Sequence, residues 1–400
     1  MRIIWPISAV SATSRTTGRA RSSNWKPLAC RFDAIMQAAP PCVLLTTDAV
    51  GGVWTYSLAL AEGFSRRGCD CVLAVLGPAP SAAQRLQAAA IPALRLIDTG
   101  LQLDWTASDE GDLALAAATL EKIADMVGAD TVHLHTPVLA AFPWRAGLVA
   151  VAHSCVGTWW EAVHGGAPPA DFAWRMALMR RGLLAADIVI APSAAFAAAL
   201  RRVYGTIPPI RVVHNGAPPP PLASSPRRRR VLTAGRLWDP GKNIGLLDEV
   251  ADRVAIDAAG PIAGPDGSTL ACRHLNLLGN LSAADLRATC RRAAIFAAPA
   301  RYEPFGLAVL EAAQQMTPLV LADIATFREL WDGAAIFLTP DDPTAWKSCL
   351  RALLQAPAER DRLGRCAWAR AQTYSADKMV AQTAAWHGLV HAAGPLKLLA

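Results

Sequence analysis

Two glutamates stand eight residues apart in Arg301-Tyr302-Glu303-Pro304-Phe305-Gly306-Leu307-Ala308-Val309-Leu310-Glu311. The spacing predicts a helix over 307–316, with Glu303 just before it and Glu311 a little over one turn inside. Five helical residues from Gly306 to Glu311 advance about 7.5 Å, so the two carboxylates can reach two ends of one extended ligand. Glu311 lies in an otherwise apolar stretch, where an unpaired carboxylate is costly and the hydroxyls of a ribose would satisfy it. The plainer reading is a helix-start glutamate that favours the helix dipole, plus a boundary glutamate.

Two cations occupy Gly235-Arg236-Leu237-Trp238-Asp239-Pro240-Gly241-Lys242-Asn243. This stretch follows a short aliphatic run, and Asn243 is expected to cap a helix that begins at Ile244. Arg236 offers a planar fork for phosphate oxygens and Lys242 a point charge. With helix N–H groups beside them, they suit a diphosphate carrying roughly −2 charge. The alternative is a surface turn with two solvated cations. The GxxxxGK[ST] pattern is absent, so this is not a Walker loop.

A second glycine-bearing loop, Thr47-Asp48-Ala49-Val50-Gly51-Gly52-Val53, opens a helix that ends near Gly68. Gly52 lets a ligand approach the backbone where free N–H groups attract anions, although a tight turn without a ligand has the same sequence. His153 follows the aliphatic run 148–151, a place where a histidine is as often structural as functional. Trp159, Trp160 and His164 lie in an aromatic and polar loop, 157–166. They are candidates to cover apolar faces of a sugar or lipid acceptor, or to pack as a lid.

These residues need elements to place them. Short aliphatic runs recur at 43–45, 72–75, 131–134, 148–151 and 188–190, with helical stretches between them such as 52–67 and 171–186. Continuous rather than alternating apolar runs suit a parallel sheet covered on both faces, and the βαβα rhythm indicates a doubly wound α/β domain. Residues 216–230 break the rhythm with four consecutive prolines and end in Arg227–Arg230, expected to be a solvated linker end. The rhythm restarts with strands at 231–234, 275–278, 295–297, 319–321 and 335–338, and helices over 244–253, 282–292, 307–316 and 344–354. The helical stretch 357–390 is longer than one layer needs and is expected to cross back to the first domain. The resulting division is a tail over 1–40, a first domain over 41–222, a second over 223–365, and a returning helix over 366–400. Two such domains face each other across a cleft, and ligands bind beyond the carboxyl ends of the strands.

Composition excludes several classes. The chain has 400 residues, 53% hydrophobic and 18% charged, enough to build large cores and unlike a disordered or rod-like protein. No apolar run approaches about 18 residues, so no transmembrane helix is expected. The first 40 residues carry +5 of the net +7, which leaves the body nearly neutral and argues against a nucleic-acid partner. That first segment is Arg- and Ser-rich and is expected to be a disordered basic tail, without a signal-peptide h-region. Nine scattered cysteines and no CxxC pair fit a reducing cytosol better than a disulfide framework or a zinc knuckle.

The ordered set GGVWTY, GRLWDPGKN and PARYEPFGLAVLEAA, with its glutamates eight apart, resembles the family 4 glycosyltransferases of the GT-B fold over nearly all of 41–390. The resemblance implies an α/β architecture of two Rossmann-like domains, a nucleotide-diphosphate sugar as donor substrate, retention of anomeric configuration, and neither a cofactor nor a metal ion. It implies that Arg236 and Lys242 hold the diphosphate, that the backbone at Gly52 approaches it, and that Glu311 binds the ribose. Glu303 would face the donor sugar, beside the N–H groups of Phe305, Gly306 and Leu307. Asn280 and Leu281 match where the family meets the nucleobase, Gly264 matches its loop after the second strand, and His153 its histidine near the reacting sugar. Ala300, Met316 and 324–326 depart from the family pattern, where serine, glycine and a Gly-Gly are usual.

The implied reaction is a hexosyl-type transfer to a carbohydrate, lipid-linked or small-molecule hydroxyl, in polysaccharide, glycolipid or glycoconjugate synthesis. Fixed cations and helix N–H groups would stabilise the charge that grows on the leaving diphosphate. The catalytic set is then Glu303, His153, Arg236 and Lys242. A non-catalytic sugar-nucleotide-binding scaffold and a sugar-nucleotide epimerase are the competing readings on the same fold. A peripheral membrane contact at the inner face stays open.

Overall fold

The computed structural model of the chain describes residues 41–218, 225–264 and 267–388. The basic segment 1–40, most of the proline run and Pro265-Asp266 lie outside the described residues.

The first half runs β1 (Cys42–Asp48), α1 (Gly52–Ser65), β2 (Asp70–Leu76), α2 (Ala82–Ala89), β3 (Leu94–Asp98), α3 (Glu110–Val127) and β4 (Thr131–Leu134). After a 3-10 turn at Pro137–Ala141 come β5 (Gly147–Val151), α4 (Val156–Val163), α5 (Ala170–Ala185), β6 (Ile188–Ala191), α6 (Ala194–Tyr204) and β7 (Ile210–Val212). The second half holds β8 (Val231–Ala234), a 3-10 turn at Pro240–Lys242, α7 (Ile244–Val250), β9 (Ile256–Ala259), β10 (Asn276–Gly279) and α8 (Ala283–Arg292). It continues with β11 (Ile295–Ala298), α9 (Leu307–Gln314), β12 (Leu319–Ala322), α10 (Ala325–Trp331), β13 (Ile336–Leu338), α11 (Pro343–Gln355), α12 (Pro357–Ala371) and α13 (Ala376–Trp386).

Two parallel sheets result, of order β3-β2-β1-β4-β5-β6-β7 and β10-β9-β8-β11-β12-β13. Most of the aliphatic runs read as strands are buried on both faces, as in Val43-Leu44-Leu45 and Leu319-Val320-Leu321, whereas β10 and β13, at the two edges of the second sheet, are exposed and half-buried. Strand order reverses between β1 and β4 and between β8 and β11. In doubly wound sheets those are the crevices where ligands sit, so the loops after β1, β4, β8 and β11 are the ones that matter.

Three strands escape a search for continuous apolar runs. β3 is an edge strand, Leu-Arg-Leu-Ile-Asp, only partly covered. β7 has three residues at the opposite edge. β9 reads Ile-Asp-Ala-Ala, with a carboxylate in its second position that receives the Arg230 guanidinium at 2.6–2.8 Å. That ion pair corrects the reading of Arg227–Arg230 as a solvated run. Arg227 is half-buried and donates to the carbonyls of Arg291, Ala293, Gln315 and Met316. Arg228 and Arg229 face solvent. Met316, where glycine is usual, takes the left-handed conformation with φ 56°.

The long C-terminal stretch is two helices. α12 continues past residue 365 because Leu363, Gly364, Ala367 and Ala371 are buried along one face, so the chain leaves the second domain at 372–375 rather than at 366. α13 then lies on the first domain, where Met379, Val380 and Ala384 join the core formed by Trp54, Tyr56, Leu60 and Phe64 of α1 with Val43 and Leu73. The hinge is pinned by Ala217 N to Tyr374 O (3.3 Å) and by Gly216, whose N–H meets Met379 Sδ.

Candidate active site

The loop after β8 is organised by Asp239, which the sequence reading passed over. Its buried carboxylate accepts from Gly241 N (2.8 Å), from Arg236 Nη2 (2.9 Å) and from Trp159 Nε1 on α4 of the first domain (3.0 Å). Gly241 O in turn accepts from the N–H groups of Arg301 and Tyr302, which ties this loop to the one after β11. Lys242 then projects toward Glu303, with Nζ 2.5 Å from Oε2. Both side chains are largely buried, so each is the other's main counter-charge.

Asn243 does not cap α7 through its side chain. It sits in the left-handed region (φ 54°), and its amide donates to Pro299 O and Pro340 O instead. The residue therefore fastens the loop after β8 to the loops after β11 and β13.

Tyr302, beside Glu303, reaches into the first domain. Its hydroxyl accepts from Cys155 N (3.1 Å) and meets Thr158 Oγ1 at 2.9 Å. Ser193 Oγ donates to Pro304 O, and the Glu329 carboxylate accepts from the N–H groups of Ala194 and Ala195 at the start of α6. The motif carrying Glu303 is thus held from both domains.

Gly306, left-handed at φ 92°, starts α9 and its carbonyl accepts from Val309 N and Leu310 N, which leaves the N–H groups of Leu307 and Ala308 without intrahelical acceptors. Phe305 is buried and Leu307 half-buried. Gly52 begins α1 directly opposite: a Cβ there would lie 3.0 Å from Leu307 Cδ1. Gly51 gives α1 no side-chain cap. Two uncapped helix starts therefore lie close together beside Lys242 and Glu303, an arrangement suited to an anion. Asp48, at the end of β1, binds Val50 N (2.8 Å) and lies near Arg236; burial pushes its carboxyl up, opposed by that hydrogen bond and the guanidinium.

Gly264, Asn280 and Leu281 stand in the loops after β9 and β10, at the same carboxyl edge of the second sheet. Gly264 N donates to Ser268 O, while Asn280 is exposed and Leu281 half-buried. No hydrogen bond or ion pair between described residues joins these three to Lys242 or Glu303. Glu311 is half-buried on α9, and no hydrogen-bond partner of its carboxylate is found among the described residues. Burial pushes its carboxyl up to about 7, with Arg287 pulling the other way.

That shift has a pH signature. An acid with a folded-state value above its ordinary 4.5 makes the folded chain hold more protons than the unfolded one. Stability attributable to Glu311 is therefore present below pH 4.5, falls as pH rises to about 7, and is constant beyond. Glu311→Gln removes the fall. Its melting temperature is expected to match wild type near pH 5 and to exceed it at pH 8, by the equivalent of about 1–3 kcal/mol. Melting curves of both proteins across that range check this, and parallel curves would refute it.

His153 follows β5 at the carboxyl edge of the first sheet. Its ring packs edge-on to Tyr56 (4.7 Å), and its Nε2 lies 2.8 Å from His135 Nδ1. Burial drives the imidazole down to about 3, so it is neutral at physiological pH. Trp159 has given its N–H to Asp239, leaving its ring to Trp160 and His164. The Trp160 Nε1 is buried without a partner, and its ring stacks 4.4 Å from His164. His164 borders an open depression of about 620 Å³ between the end of α4 and the second domain, lined also by Arg301, Ile324 and Asp341.

Asp239, Asp48, Tyr302 and His135 were not anticipated. For His135 a signal existed, since His133 and His135 flank Leu134 where an apolar strand ends.

Two doubly wound domains with a polar crevice at their facing strand ends define the GT-B fold. The chain belongs to the family 4 glycosyltransferases: residues 50–219 match Glycosyltransferase Family 4 and residues 228–356 match Glycosyl transferases group 1. A stretch of 101 residues is 39% identical to D-inositol 3-phosphate glycosyltransferase of Kineococcus radiotolerans, covering 23% of each protein. Such matches span about a quarter of the length of the curated relatives. Sucrose-phosphate synthase from Thermosynechococcus elongatus shares the fold, with a TM-score of 0.70 and 16% identity over 88% of this chain and 100% of that one. So does Anabaena Alr3699/HepE, solved in complex with UDP-glucose, with a TM-score of 0.68 and 18% identity over 86% and 99%.

Proposed function

We propose that the chain transfers a sugar from a nucleotide-diphosphate sugar to a hydroxyl acceptor in glycan or glycoconjugate synthesis, with retention and without a metal ion. The observation that carries this is the pairing of Lys242 with Glu303 beside the opposed starts of α1 and α9. A donor entering there meets both charges: Lys242, with Arg236, takes the diphosphate, and Glu303 takes sugar hydroxyls. As the sugar–phosphate bond breaks, negative charge grows on the leaving phosphate, and the fixed cation and helix N–H groups stabilise it without reorganising. Glu311 and the loops holding Gly264, Asn280 and Leu281 then lie along the path of the ribose and base. His153, neutral, contacts the transferred sugar rather than donating a proton as an acid.

Phe305, Gly306, Leu307 and Gly52 supply backbone donors in this reading. The depression beside His164, with Trp160 at its back, is where a carbohydrate, lipid-linked or small-molecule acceptor enters. No described helix is long and apolar enough to cross a membrane. A reducing cytoplasm is the compartment that nine scattered cysteines without a CxxC pair suit best. UDP-sugars come first among donors because the HepE neighbour was solved with UDP-glucose.

A thermal-shift panel of UDP-, GDP- and ADP-sugars tests the reading. A true donor at 100 times its dissociation constant stabilises by about 2.7 kcal/mol. Binders are then assayed for hydrolysis and transfer, with product anomers assigned by NMR. A panel in which no sugar nucleotide shifts the melting temperature overturns the proposal, and binding without turnover leaves only a scaffold.

A further inference from the structure

Behind His153 lies a line of hydrogen bonds whose directions one carbonyl decides. Ser57 Oγ is buried 2.8 Å from Val53 O, 2.8 Å from Thr47 Oγ1 and 3.0 Å from His135 Nε2. A hydroxyl has one proton, and a carbonyl can only accept. Two oxygens 2.8 Å apart with no proton between them repel, so the Ser57 proton lies on the Val53 carbonyl, one helical turn back. Thr47 Oγ1 also has Asp48 O within 3.2 Å, but with the Ser57 proton on Val53 O the shorter 2.8 Å contact between the two hydroxyls takes the Thr47 proton. The contact to His135 then has only one possible direction: Nε2–H donates to Ser57.

His135 is neutral, because burial holds its imidazole well below the usual range and His153 adds to the effect. With its proton on Nε2, its Nδ1 is bare and accepts from His153 Nε2, 2.8 Å away. A neutral His153 that donates from Nε2 keeps a bare Nδ1, for which the described residues supply no partner. The backbone holds the line at both ends, since His135 N donates to Thr46 Oγ1 and Ser57 is fixed within α1.

We propose that Ser57 and His135 are positioning residues that fix His153 in the Nε2–H tautomer, so that a ligand meets a bare nitrogen, Nδ1. The ligand group at that nitrogen must bring its own proton. A sugar hydroxyl fits; a phosphoryl, carboxylate or carbonyl oxygen does not. This separates the work of the cleft, leaving the diphosphate to the second domain's cations and making His153 a reader of a hydroxyl on the transferred sugar or acceptor. That last step rests on the transferase reading above, whereas the tautomer does not.

The test is nitrogen NMR of the full chain labelled with 15N-histidine, without ligand. His153→Ala and His135→Ala spectra serve only to assign the ring signals. Wild type is expected to show His153 with a protonated Nε2 and a bare Nδ1. Ser57→Ala leaves His135 Nε2–H without an acceptor; its proton moves to Nδ1 and His153 is driven to the Nδ1–H form. The same variant, shown to be folded by a cooperative melt, is expected to lose about tenfold in kcat/KM, the scale of one misdirected hydrogen bond. A wild-type His153 protonated at Nδ1, or a Ser57→Ala protein whose tautomer is unchanged, overturns the positioning. The stated tautomer in a chain that binds no sugar nucleotide supports the positioning and retires only the transferase reading.

Discussion

Lys242→Ala is expected to lower kcat about a hundredfold on the donor that the panel identifies, the scale for losing one donor aimed at developing charge. The effect should fall on kcat more than on KM, because the charge Lys242 meets on the leaving phosphate is greater in the transition state than in the bound substrate. The substitution also strips Glu303 of its counter-charge at 2.5 Å, which leaves a largely buried carboxylate unpaired. The double variant Lys242→Ala/Glu303→Gln separates the two effects when set beside Glu303→Gln alone. If catalysis needs the ammonium itself, the double variant regains melting temperature but turns over more slowly than Glu303→Gln. Near-normal turnover in a folded Lys242→Ala protein would remove the lysine from the mechanism.

The second large effect is structural. In Gly216→Ala a methyl group is expected to cost on the order of 3 kcal/mol, the upper end of the range for overpacking. A Cβ at Gly216 would stand 2.2 Å from Ser375 O, 2.4 Å from Ser375 C and 2.7 Å from Ala376 N. All three are backbone atoms at the start of α13, so no side chain can swing aside. Either the crossing segment 372–375 lifts off or the melting temperature falls by several degrees. Denaturant unfolding measures the loss. A variant as stable as wild type would mean that the crossing is far more pliable than its hydrogen bonds suggest.

Much of this molecule can be read from its sequence, for a definite reason. Parallel strands buried on both faces are written as short unbroken aliphatic runs, and Leu44, Val72, Val149, Leu232 and Val320 mark them without ambiguity. Edge strands such as β3 keep half their face to solvent and lose that mark. The glutamate motif and the Arg236–Asn243 loop were also legible, because their glycines and charges are unusual in an apolar setting. Asp239 was not. In the chain it is an ordinary turn aspartate, and only the meeting with Trp159, 80 residues earlier, makes it the clasp of the site. Asn243 misled for a similar reason: a local capping rule lost to two distant carbonyls, Pro299 O and Pro340 O, that needed donors. Arg227 looked solvated because its five acceptors come from segments at 291–293 and 315–317 that no local reading brings near. His135 and Ser57 carry no local signal of their alignment, which exists only once β4 lies beside β1.

The returning helix α13 has a consequence for biosynthesis. On the ribosome the strands of the first domain emerge early, yet the apolar face formed by α1, Val43 and Leu73 stays uncovered until Met379, Val380 and Ala384 have been made. The nascent first domain therefore waits, with part of its interior open to chaperones or to aggregation, while the whole second domain is translated. Cleavage or early termination before Ala376 would strand it in that state, so α13 couples the covering of the first domain to translation of the second.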